Sequence, residues 1–67
     1  MREELLKAFV SHAKGHIDKH KANIEVYLTN PVGVGEHPDI IEAIETEMKE
    51  VAHYDDMLEM AKKYFNA

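Results

Sequence analysis

Three histidines recur at intervals of four in the stretch HAKGHIDKH, at positions 12, 16 and 20, and two more stand at positions 37 and 53. In a helix that interval sets His12, His16 and His20 along one side. Imidazole is the side chain whose charge changes near neutral pH. Beside a carboxylate it can relay protons, and with carboxylates it can ligate zinc or iron. Carboxylates are plentiful, with 13 Asp and Glu against 8 Lys and Arg and a net charge of −5 when histidine is neutral. Cysteine is absent, which removes disulfides and thiolate metal sites together.

The elements that must position these groups are two helices. Leu6, Val10, Ala13, Ile17, His20, Ile24 and Tyr27 step by four and three in alternation, a heptad seam with one histidine in it. Leu5, Phe9 and His16 flank it on one side and Leu28 on the other, so the face is wider than a two-stranded coil requires. Gly15 interrupts this helix as a surface or close-packing residue. In the second half Ile41, Ile44, Met48, Val51, Leu58 and Phe65 form a stripe with Ile40, Tyr54 and Ala61 beside it. Glu47 and Asp55 fall inside that apolar arc at about 100° per residue.

Between the helices lies TNPVGVGEHPD, from Thr29 to Asp39, which holds both prolines and two of the three glycines. Asn30 suits a left-handed helix end and Pro31 stops the helix. Pro38 fits the first turn of the next helix, with Asp39 facing its positive end. A phosphate-binding loop is excluded by chemistry: no Lys-Ser/Thr pair follows the glycines, no strand precedes them, and Glu36 and Asp39 repel anions. The segment reads as a bend. The expected organisation is therefore one domain over 1–67, with a helix at about 2–29, a loop at about 30–37 and a helix at about 38–65. The fold class is all-α, an antiparallel two-helix hairpin. Faces this wide cannot be covered by one partner helix, so two hairpins dimerise into a four-helix bundle. Its dimer core would comprise Leu6, Val10, Ala13, Ile17, His20, Ile24, Ile41, Ile44, Met48, Val51 and Leu58.

Folding the hairpin at the bend pairs residues whose numbers total about 67. His20 then lies level with Glu47, His16 with Val51, and His12 with Asp55. Two readings follow. In one, these are hydrogen-bonded pairs that fix register, His20 with Glu47 and His12 or His16 with Asp55. In the other, His16, His20, Glu47 and Asp55, doubled across a dimer, bind a metal. The Glu50–His53 segment EVAH matches the Glu-x-x-His unit of di-iron bundles, but His53 lies roughly 160° from the centre of its helix's stripe and should face water. The Met48, Met57 and Met60 set reads as core filler, and Tyr27, Tyr54, Tyr64 and Phe65 as finishing the bundle's ends and edges.

Composition narrows the partners. Lys14, Lys19 and Lys21 make no basic stripe in an acidic chain, which argues against nucleic acid. No apolar run approaches the roughly 20 residues of a membrane helix, and MREELLKAFV has no secretory character. A chain this short buries only about 60% of its unfolded surface, which favours self-association. With no activated serine, no cysteine and no nucleotide fingerprint, no catalytic residue, enzyme activity or cofactor is expected.

The stretch GHIDKHKANIEVYLTNPVGVGEHPDIIEAIETEMKEVAHYDDMLEM, above all NPVGVGEHPDI and HYDDMLEM, resembles a group of short uncharacterised proteins of T4-like marine bacteriophages, including cyanophages. The resemblance spans about Phe9 to Phe65 and brings no activity or site residue with it. It implies a viral protein located in bacterial host cytoplasm or in the virion; the partners expected are a second copy, from the wide apolar faces, and a host or virion protein. The function expected is that of a protein-interaction module, either a minor structural component or a host modulator. The alternative is a metal-binding four-helix bundle.

Overall fold

A computed structural model describes residues 1–30 and 39–67. It consists of two α-helices, α1 over Arg2–Thr29 and α2 over Ile40–Phe65, packed against each other as a hairpin. Their antiparallel sense shows in the cross-links, since the Arg2 guanidinium donates to the carbonyl oxygen of Phe65 at 2.8 Å while His20 meets Glu47 further along. The first of these also sets a cation on the electronegative end of α2, beside Lys62 and Lys63 of its last turn.

Helix ends follow local chemistry, with two departures from expectation. α2 begins at Ile40 rather than at about 38, because Asp39 is its N-cap. Asp39 is extended (φ −122°, ψ 94°), and its Oδ1 accepts from the Glu42 amide at 2.9 Å, satisfying a first-turn donor that has no partner within the helix. Asn30 is not left-handed. Its φ is −146° and ψ 61°, and its amide still donates to the Val26 carbonyl at 2.9 Å, so α1 closes with an ordinary helical bond. The left-handed ending occurs at Asn66 instead (φ 63°, ψ 34°), where asparagine tolerates a conformation that most side chains avoid. The readings placed on Pro31, Val32, Gly33, Val34, Gly35, Glu36, His37 and Pro38 lie outside the described residues.

The molecule is a rod of 46 × 16 × 15 Å with a radius of gyration of 14.9 Å. A compact chain of this length would have a radius near 11 Å. Only Ala13, Ile24, Leu58 and Ala61 are buried among the described residues, because each helix has just one neighbour. The two alanines are small enough to let the backbones approach, and Ile24 and Leu58 fill the seam between the helices. Three of these residues, Ala13, Ile24 and Leu58, belong to the expected dimer core and are already used inside the hairpin.

The sides of the rod differ. Residues on one flank of α1 share a side with the matching flank of α2, as antiparallel packing requires. One side is aliphatic: Val10, Ile17, Ile44 and Val51 are half-buried, while Leu28, Met48 and Ile41 are 59%, 50% and 77% exposed. The other carries the histidines mid-rod and an open apolar groove at the chain ends, lined by Leu6, Phe9, Met57, Met60, Ala61 and Phe65. No helix among the described residues is long and apolar enough to cross a membrane.

Candidate functional site

The polar residues that interrupt the two stripes meet in the middle of the hairpin. His20 comes from the centre of the α1 face and Glu47 from the centre of the α2 face, with side chains 13% and 17% exposed. His20 Nδ1 is hydrogen-bonded to Glu47 Oε2. The carboxylate can only accept here, so Nδ1 carries the proton. Asn23 Nδ2 donates to the other oxygen, Oε1, at 3.2 Å. Both carboxylate oxygens are therefore engaged by α1, one helical turn apart, and the three side chains fix the axial register of the pair. A carboxylate tolerates such partial burial when each of its oxygens has a donor.

One turn towards the N-terminus the pattern changes. His16 stacks on Tyr54, with ring centroids 4.5 Å apart and planes at 12°, and its ring lies 6.1 Å from that of His20. His12 packs edge-on against His16 at 4.4 Å and approaches Tyr54 at 6.1 Å. The Nδ1 atom of His16 is shielded from solvent and has no hydrogen-bond partner. Burial pushes the His16 imidazole below its ordinary pKa of 6.5; His12, Lys19 and His20 push it the same way by charge repulsion, and Glu50 opposes them. The side chain is thus held towards its neutral form.

Of the four residues expected to share a metal, the structure brings His20 and Glu47 into contact and sets His16 beside His20. Asp55 is exposed, and the expected pairing of His12 or His16 with Asp55 is replaced by Tyr54. One residue along a helix turns the side chain by about 100°, which carries Asp55 towards the aliphatic side, away from His16. Among the described residues of one chain no group of three or more His, Asp or Glu side chains could hold a metal ion. His53 is exposed and Glu50 half-buried, so the Glu-x-x-His spacing of the segment assembles nothing inward.

Two participants escaped the sequence reading. Tyr54, expected at an end or edge, stands mid-rod against two histidines, and Asn23, for which the sequence suggests no role, holds Glu47. Their positions do obey a signal in the sequence: a register total slightly larger than 67 would have set Tyr54 opposite His16 and Asn23 opposite Glu47. Compared with known proteins, the chain matches no family model, no curated protein and no solved structure.

Proposed function

We propose that the chain works as a homodimer, two hairpins docked through their aliphatic sides into a four-helix bundle, and that this bundle is a protein-interaction module acting by binding rather than catalysis. The observation that carries the reading is the aliphatic side, whose apolar residues run from Leu28 and Ile41 to mid-rod, short of Asp55. Leu28, Ile41 and Met48 are exposed in the single chain at the spacings that align them with Val10, Ile17, Ile44 and Val51, and such a contiguous surface marks an interaction site. A two-fold axis makes one such surface complementary to itself. The resemblance to short proteins of T4-like marine bacteriophages supports a setting in host cytoplasm or virion, with a host or virion protein as the further partner. That partner would meet the outward side, where the terminal groove lies between the ends of the two helices.

Sedimentation equilibrium at micromolar concentration tests the assembly. A single species of twice the chain mass is expected, and a folded, stable monomer overturns the proposal. The alternative of a metal-binding bundle has the His20–Glu47 contact, with His16 beside it, in its favour, but without Asp55. It requires a second copy to supply the remaining ligands, and metal analysis of chelator-free protein tests it directly.

A further inference from the structure

On the side of the rod away from the aliphatic residues, His12 and His16 stand one helical turn apart, their ring centroids 4.4 Å from each other and their planes inclined at 61°. A metal–imidazole bond of about 2.0–2.1 Å puts the ring centroid roughly 3.2 Å from the ion, so two rings at a right angle on one ion lie roughly 4.5 Å apart. The observed spacing is that of such a chelate. The second observation is the shielded, unpartnered Nδ1 of His16. A polar atom withdrawn from water without a partner is costly and calls for an explanation. Its ring neighbours are His12, Tyr54 and His20, and none of them supplies a hydrogen bond.

The surroundings suit an open, exchangeable site. Tyr54 reaches across from α2 to stack on His16 and to edge His12, which steadies both rings from outside the ligand set. Ser11, His12, Gly15, His16 and Lys19 line a shallow hollow, and nothing stands within 4 Å of the point a Gly15 Cβ would occupy. There is room for an ion and its waters. His12 is exposed and packs against His16, so its ring can turn to uncover His16 Nδ1 and share an ion taken up there. Lys19 on the rim opposes a cation and keeps binding reversible. His20 is held by Glu47 and stays out of the set.

We propose that His12 and His16 chelate one divalent transition-metal ion of tetragonal preference, copper(II) or nickel(II), with water completing its coordination. Two neighbouring imidazoles are the donors such ions favour, and the pairing of histidines four apart on one helix face is an established way of presenting them. The site needs only one chain, so it stands whether or not the hairpin dimerises.

Nickel(II) is the probe, because copper(II) also binds a free chain terminus. Titration of the full, chelator-treated chain by calorimetry at about pH 7.5, where imidazoles are neutral, should show one ion per chain. Loss of an outer-shell partner alone weakens metal sites by about 10–100-fold, so His12→Ala should weaken binding at least tenfold. His53→Ala should leave it unchanged, and His20→Ala should weaken it less than His12→Ala does. His12 is exposed, and circular dichroism of His12→Ala should match the wild type, which separates loss of a ligand from loss of fold. Binding by His12→Ala equal to wild type, or no saturable uptake by the wild type, overturns the proposal. So does a His20→Ala variant weakened as much as His12→Ala, which would move the ion to the interior histidine–carboxylate pair.

Discussion

Replacing Ile41 by serine should dissociate the dimer while leaving the hairpin intact. Full burial of an isoleucine side chain is worth about 1.5–3 kcal/mol. Ile41 is 77% exposed, so about 1.2–2.3 kcal/mol remains to be gained at an interface and little is lost within the chain. A two-fold seam presents the substitution twice, which makes the effect about 2.3–4.6 kcal/mol, or roughly 50- to 2,000-fold in the dimer dissociation constant. Sedimentation equilibrium across a concentration series measures that shift, and circular dichroism at low concentration should show unchanged helix content. Leu5→Ser is the matched control: Leu5 is 63% exposed but lies on the opposite flank of α1, so the dimer should persist. An Ile41→Ser protein that associates as tightly as the wild type, or a Leu5→Ser protein that falls apart in its place, refutes the aliphatic seam.

Three further outcomes are expected. Glu47→Ala leaves the half-buried His20 and Asn23 without their acceptor and should cost about 1–3 kcal/mol in urea unfolding, whereas the apolar pair His20→Leu with Glu47→Leu should recover most of that loss; equal destabilisation by both would deny the pair its role. Gly15→Ala adds a methyl group to open space on a helix and should stabilise by about 0.5–1 kcal/mol, raising Tm by several degrees, while a fall in Tm would mean that the position is closely packed. For His16 the folded pKa lies below 6.5, so above that pH both folded and unfolded chains are neutral there and stability is unaffected. As pH drops below 6.5 the unfolded chain takes up the proton first, and stability declines until the folded imidazole also titrates. Melts of chelator-treated wild type and His16→Gln between about pH 5 and 8 should therefore converge as acid is added, and parallel curves would show that His16 is not the group responsible.

The helices were legible because their signal is redundant. Any few of Leu6, Val10, Ala13, Ile17 and Ile24 would have set the period, and His20 opposite Glu47 followed from one register rule. The errors arose where a single residue had to decide a conformation. Asn30 and Asn66 are the same residue type at helix ends, yet only Asn66 is left-handed. Propensity tells which residue can adopt that conformation and not which one does. Asp55 was misplaced for a different reason. The hairpin total of about 67 is slightly too small, and the larger total sets Tyr54 rather than Asp55 against the histidines. That exchange decides the site's chemistry, since a carboxylate there would have joined the histidines in an acid–base or metal set, and a phenol ring stacks on them instead.

The two sides of the rod answer to different demands. An aliphatic surface gains free energy against any apolar partner and says little about which partner, so it suits a partner that is always present at a matched concentration, a second copy. The histidine side is chemically selective. Its rings are held by edge and face contacts to Tyr54 rather than by hydrogen bonds, and the shielded Nδ1 of His16 has no partner. Between them the His20–Glu47–Asn23 set resists axial sliding, because a shift of one residue would leave both carboxylate oxygens without donors in a half-buried seam. With so few residues buried, such a set matters more than it would in a larger core. The apolar contacts alone, dominated by two alanines and two branched side chains, would tolerate several registers, whereas the hydrogen bonds accept one. That register brings Tyr54 opposite His16, so the selectivity of the outer side depends on the polar pair at the centre of the hairpin.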